Sequence, residues 1–89
     1  MATQPLTILA AMQGSYIIND TTAWTGKCDA VYVLEAAVFS ILNDTSTGTK
    51  DTYISDSAVS VPAGALIRPI KDEQFDKIIL TSGKVALVL

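Results

Sequence analysis

The sequence predicts an all-β domain, a small β-sandwich or barrel of short antiparallel strands. Val, Ile, Thr, Tyr and Phe, which favour strands, recur along the chain. Glycines and prolines separate short runs at the intervals of an all-β chain. The end reads as a β-hairpin, with Thr81-Ser82-Gly83-Lys84 turning between Phe75–Leu80 and Val85–Leu89. The run Val85–Leu89 is wholly apolar, whereas a free carboxyl terminus is usually polar and frayed. It must be covered, either by the chain's own core or by copies of the chain.

Residues 1–13 read as an N-terminal arm, a short helix or a strand: Leu6-Thr-Ile-Leu-Ala-Ala-Met12 follows Pro5, which suits either. Residues 14–89 read as a single β domain. Tyr16–Ile18 leads to a turn at Asn19-Asp20, Thr21–Thr25 is a second short strand, and Gly26-Lys27 turns the chain again. In the strand Cys28–Glu35, Ala30, Tyr32 and Leu34 share one face and Val31 and Val33 the other. Apolar on both faces, it is expected to be central. Val38–Leu42 is the next strand; a helix over Leu34–Leu42 competes, since Glu35-Ala36-Ala37 are good helix formers, and the short length favours the strand. Asn43–Asp51 carries no aromatic or aliphatic side chain and reads as an exposed, mobile loop. Tyr53–Val61 alternates weakly, as a strand with one wet face. Val61-Pro62-Ala63-Gly64 is a turn, Leu66-Ile67-Arg68 runs to Pro69 at an edge or strand end, and Lys71–Gln74 is a charged connection.

At 89 residues the chain is near the lower limit of domains that fold alone, burying roughly 60–65% of its unfolded surface. Small domains normally add disulfides, a metal or self-association. Cys28 is the only cysteine and there is no histidine, which removes an intrachain disulfide and a zinc site. Self-association is the device left. The net charge is −3, and Lys27, Lys50, Arg68, Lys71, Lys77 and Lys84 are scattered singly rather than clustered as phosphate binding requires. No nucleic-acid partner is expected. Nor is a membrane, since no run approaches the ~18 apolar residues of a span. Residues 1–12 lack the pattern of a signal peptide, so synthesis in a cytosol, with Cys28 reduced, is the expectation.

Catalysis is poorly provided for. A Ser, Thr or Cys nucleophile needs a base, usually histidine. Cys28 has Lys27 on one side and Asp29, which opposes the thiolate, on the other; it reads as a small buried hydrophobe. Asp72, Glu73, Asp44, Asp51 and Asp56 read as solvated surface charge. Gly26-Lys27 and Gly83-Lys84 are not phosphate loops, because Thr21 and Ile78 stand where the first glycine belongs and Cys28 and Val85 where Ser or Thr belongs. Asp44–Gly48 misses a calcium loop, its glycine one residue early and the terminal Glu absent. No catalytic, cofactor or metal residue is expected. Trp24 reads as core or as an interface between copies, with a sugar-stacking platform as the alternative.

In order along the chain, Thr22-Ala-Trp-Thr-Gly26, Asp29-Ala30-Val31, Glu35 with Val38-Phe39-Ser40, Val61-Pro62-Ala63-Gly64 with Leu66-Ile67, and Phe75-Asp-Lys-Ile-Ile-Leu80-Thr-Ser-Gly83 with Val85 form a set. In this set residues 14–89 resemble very small structural proteins of tailed bacteriophages, of the capsid decoration or head-fibre type. The segment Leu6–Met12 and the polar tract 43–51 depart from that pattern. The resemblance implies a non-enzymatic virion protein, assembled as a homotrimer on the particle and contacting the major capsid protein or another virion protein. Ile79, Val85, Leu87, Leu89 and Trp24 are expected at the interface between copies, and Leu6, Ile8, Leu9 and Met12 at the capsid. A receptor- or glycan-binding module of a tail fibre or spike, reading a host surface with Trp24 and loop 43–51, is the alternative from another class.

Overall fold

The computed structural model describes residues 14–89; the arm positions Leu6, Ile8, Leu9 and Met12 lie outside the described residues. The fold is all-β and antiparallel. Its elements are β1 (Ser15–Ile18), β2 (Trp24–Cys28), β3 (Ala30–Asp44), α1 (Lys50–Tyr53), β4 (Leu66–Ile67) and β5 (Phe75–Val88). One sheet runs in the order β1-β5-β3-β4, and β2 also pairs with β5.

The expected strands Cys28–Glu35 and Val38–Leu42 are parts of the continuous β3, and the expected turn Thr81–Lys84 lies inside β5. Phe75–Leu80 and Val85–Val88 do not pair with each other as a hairpin would. Both pair with β3, in a ladder from Ala30↔Val88 to Asp44↔Phe75. The turn signals were real, but they bend a paired ribbon instead of reversing a single strand.

That bend is required by length. Straight, the 14 residues of β5 would span roughly 45 Å and the 15 of β3 somewhat more. The longest dimension of the molecule is 33 Å. Cys28 pairs with Phe75, at one end of β5, while Ala30 pairs with Val88, at the other. The chain from Cys28 to Ala30 covers about 7 Å at most, so the ribbon folds back until its ends are neighbours.

Bulges make the fold-back possible. Glu35 faces Lys84 and Val38 faces Ser82, which leaves Ala36 and Ala37 opposite Gly83 alone. Gly83 has φ +88°, and a Cβ there would overlap the Ala36 carbonyl oxygen and the Ala37 Cα. Further shifts between Phe39 and Ile41 and between Asn43 and Asp44 reset the alternation. Strict period two would place Val85 and Leu87 on the face opposite Ile78 and Leu80. With the shifts, all of them enter one core with Val31, Val33, Ala37, Phe39, Leu42 and Phe75, closed at the sides by Ile18 and Cys28.

Other expectations are corrected. The second strand starts at Trp24, not Thr21, and runs through the expected turn Gly26-Lys27, because pairing with β5 carries it on to Cys28 with a register shift. The expected strand Tyr53–Val61 is the end of a short helix followed by a loop; within it only Val61 bridges to the sheet, at Ala37. The C-terminal run is covered by the chain itself: Val85–Val88 lies between β1 and β3.

Replacing Gly83 with alanine is expected to destabilise the protein by more than about 2 kcal/mol in urea unfolding, since strain and overlap add at one position. Lys84→Ala, which removes only the exposed 3.2 Å ion pair with Glu35, is expected to cost less than about 1 kcal/mol.

Candidate functional site

The polar tract after β3 is organised around one buried carboxylate. Asp44 ends the strand with 3% of its surface exposed. Its Oδ1 accepts the Ser46 N–H at 2.8 Å and the Gly48 N–H at 2.9 Å, and its Oδ2 accepts the Tyr53 hydroxyl at 2.6 Å. The Asp44 N–H donates in turn to the Gly48 carbonyl at 3.0 Å. A side chain at position 48 would overlap the carboxylate, so only glycine closes this loop.

Tyr53 extends the node to a second segment. Its oxygen accepts the Ile70 N–H at 3.1 Å, and its ring meets Phe75 edge-on, with centroids 5.0 Å apart and planes at 75°. Beside it, Thr45 donates to Glu73 at 2.5 Å, and the Gln74 N–H donates back to the Thr45 hydroxyl at 3.1 Å. Residues 44–53 are thereby tied to residues 70–75. The Tyr53 hydrogen bond, aided by the two N–H donors, holds the Asp44 carboxyl below the usual carboxylate range against the opposing effect of burial. Burial, then the bond to Asp44, pushes the Tyr53 phenol up. A carboxylate engaged this fully by the chain's own donors acts as a clamp. Expecting Asp44 to be solvated surface charge is corrected by its burial.

Tyr53 also forms one wall of an open groove of about 450 Å³, lined by Ile54, Val59, Val61, Pro62 and Ile67 among others. Val61 and Ile67 reach the core from its floor, while Val59 is exposed.

The residues expected at an interface between copies are not gathered in one place. Val85 and Leu87 are fully buried in the chain's own core, so their expected role is corrected: they have no surface to offer a neighbour. Ile79 is half-buried and Leu89 is 38% exposed. Trp24 packs partly against the core, its ring lying over Gly26 on the same strand, where a Cβ would come within 2.9 Å of the indole. Trp24 faces Ile78 across the ladder, whereas the tract after Asp44 is bound to Tyr53 and Glu73. Cys28 is buried, and desolvation pushes its thiol up to about 12. Among the described residues no group of three or more His, Cys, Asp or Glu could hold a metal ion, and no helix is long and apolar enough to cross a membrane.

Sequence reasoning missed Asp44 and Tyr53. The available signal was the Asx pattern Asp44-Thr45-Ser46, in which an aspartate caps the N–H two residues on. No protein-family model, curated protein or solved structure matches the chain.

Tyr53→Phe is expected to cost about 1–3 kcal/mol, by leaving one carboxylate oxygen with no donor. The folded Asp44 carboxyl lies below its unfolded value, so its contribution is present at neutral pH and lost as pH falls through the acid range below about 4. Removing the phenol takes away the main cause of that depression. The acid limb of unfolding, followed by circular dichroism, is therefore expected to begin at higher pH in Tyr53→Phe than in the parent chain.

Proposed function

We propose that this chain is a non-enzymatic, self-assembling structural module of a tailed-bacteriophage particle, a trimeric decoration or head-fibre protein at the capsid surface. The bent sheet then serves as a small sandwich or barrel unit repeated about a threefold axis, with the major capsid protein or another virion protein beneath it. The ordered set of segments from Thr22 to Val85 supports the particle reading.

The geometric observation that carries self-assembly is the apolar margin of the sheet. β1 is the terminal strand of the path β1-β5-β3-β4. Tyr16 on it is 51% exposed, and Leu89, whose N–H bonds to the Gly14 carbonyl, is 38% exposed beside it. Tyr16 and Leu89 share the face of Leu87, to which Tyr16 is paired, so the core's apolar surface continues to the rim of the sheet. A strand margin of this kind invites pairing with another chain, and closed symmetry satisfies it without open-ended aggregation. A standard interface takes roughly 800 Å² from each partner, more than one short strand offers, so neighbouring surface must join it. The exposed Val59 and the groove are further apolar surface that symmetric copies can bury.

Sedimentation equilibrium is expected to give three times the 9.4 kDa chain mass. Tyr16→Asp combined with Leu89→Asp is expected to give the single-chain mass with the circular dichroism of the parent. A parent protein that stays monomeric at its highest soluble concentration rules the reading out. Micrographs of particles made with and without this gene product test its place on the virion.

A further inference from the structure

The sheet path β1-β5-β3-β4 ends in two strands that are each bonded on one side only. The alternation of the ladders sets what their free sides present. The Leu89 N–H donates to the Gly14 carbonyl at 3.0 Å, so Tyr16 and Ile18 are the β1 residues that bond to β5. Ser15 and Ile17 direct their N–H and C=O groups outward. At the other end the Val33 N–H donates to the Ala65 carbonyl at 2.9 Å, so Ile67 bonds to Val31 and Leu66 directs its own groups outward. Among the described residues no backbone partner meets these outward groups of Ser15, Ile17 or Leu66.

The side chains of the two ends match in the same way. Ile17, 48% exposed, and Leu66, half-buried and paired with Tyr32, lie on the face turned away from the core. Tyr16 and Ile67 lie on the core side, paired with the core residues Leu87 and Val31. Ile67 also lines the open groove. Strand sense agrees as well. The four strands of the path alternate in direction, so β1 and β4 run oppositely. A neighbour turned about an axis roughly parallel to the strands keeps that sense and brings its β4 antiparallel to β1. Such a contact joins unlike surfaces, as a threefold ring requires, whereas two β1 strands pairing with each other stop at a dimer.

We propose, on the basis of the self-assembly argued above, that β1 of one copy adds as an antiparallel strand to β4 of the next, with Ile17 opposite Leu66. In this register Tyr16 stands beside Ile67, on the floor of the neighbour's groove, and Ile18 falls opposite Ala65. Slipping by two residues sets Gly14, which has no side chain, against Ile67 in one direction, and Ile17 against the exposed Arg68 in the other. Strand addition of this kind draws affinity from main-chain bonds and specificity from side chains seated in pockets. Each copy carries one edge of each sort, so a closed ring of copies leaves neither open.

The test is the full chain carrying Ile17→Cys and Leu66→Cys together, oxidised at a concentration where sedimentation shows the oligomer. Antiparallel partners of this kind have Cα atoms about 5.5 Å apart, within disulfide reach. Within one chain β5 and β3 separate the two positions, and buried Cys28, its thiol pushed up to about 12, does not compete. On a non-reducing denaturing gel the double variant is expected at three times the chain mass, and each single variant at the chain mass. A trimer that stays uncross-linked, or a covalent dimer from Ile17→Cys alone, overturns the edge contact and leaves self-assembly standing. A chain that is monomeric at every concentration overturns both. Leu66→Pro is a second check, since proline there removes an N–H that points outward and none that bonds β3. It is expected to give the single-chain mass with the circular dichroism of the parent, and a trimer of Leu66→Pro overturns the proposal.

Discussion

A paired ribbon longer than the molecule that contains it has to fold back, and the rest of the architecture follows from where it does so. β3 and β5 pair with each other on both sides of the bend, and at the bulge the Ala37 backbone exchanges its hydrogen bonds with Val61 instead. The cost is concentrated at one place, where two alanines of β3 oppose one glycine of β5. Gly83 supplies both the positive φ and the missing Cβ. Once the two arms of the ribbon face each other, Val31, Val33, Val85 and Leu87 from one arm meet Phe39, Leu42, Phe75, Ile78 and Leu80 from the other. β1 and β2 follow β5 on its remaining side, one along each arm, with residues 19–23 spanning the bend.

The polar end of the ribbon is built on different physics. α1 is a single turn with no buried residue, far too short to persist on helix propensity. It is held by Tyr53, which anchors its last residue to Asp44 and Phe75. A charge-assisted O–H···O bond of this length is among the stronger bonds a side chain makes, and it sits where water has little access. The groove bounded by Tyr53, Val59 and Ile67 therefore owes the position of one wall to an ionised carboxylate at the end of β3.

The all-β class, the strand at Tyr16–Ile18, the two-faced strand beginning near Cys28 and the turn at Pro62–Gly64 were legible because each rests on local propensity or alternation. What sequence reading could not supply was pairing. Thr81–Lys84 carries the composition of a turn, and nothing local distinguishes a reversal from a bend that keeps its partner. Gly26-Lys27 was misread for the same reason, since β5 carries β2 straight through it. Asp44 was misread because loop composition counts polar residues without revealing which of them turns inward to meet a phenol nine positions later. The C-terminal run was rightly seen to need cover. That the cover is β1 and β3 depends on contacts with residues more than fifty positions away.

This last point separates assembly from folding. Had Val85 and Leu87 faced a neighbour, the monomer would carry large unburied side chains and have little stability of its own. Instead Ala86, Leu87 and Val88 are interior, and their burial is worth on the order of 5 kcal/mol. That is comparable to the whole stability of many small domains. Removing the last residues would therefore dismantle the sheet, and loss of an oligomer on truncation would reveal nothing about the interface. The apolar side chains the monomer leaves in water, Tyr16 and Leu89 at the rim among them, are what the proposed assembly has to work with. Substitutions there leave the core untouched, so the proposed assembly can be probed at positions that folding does not use.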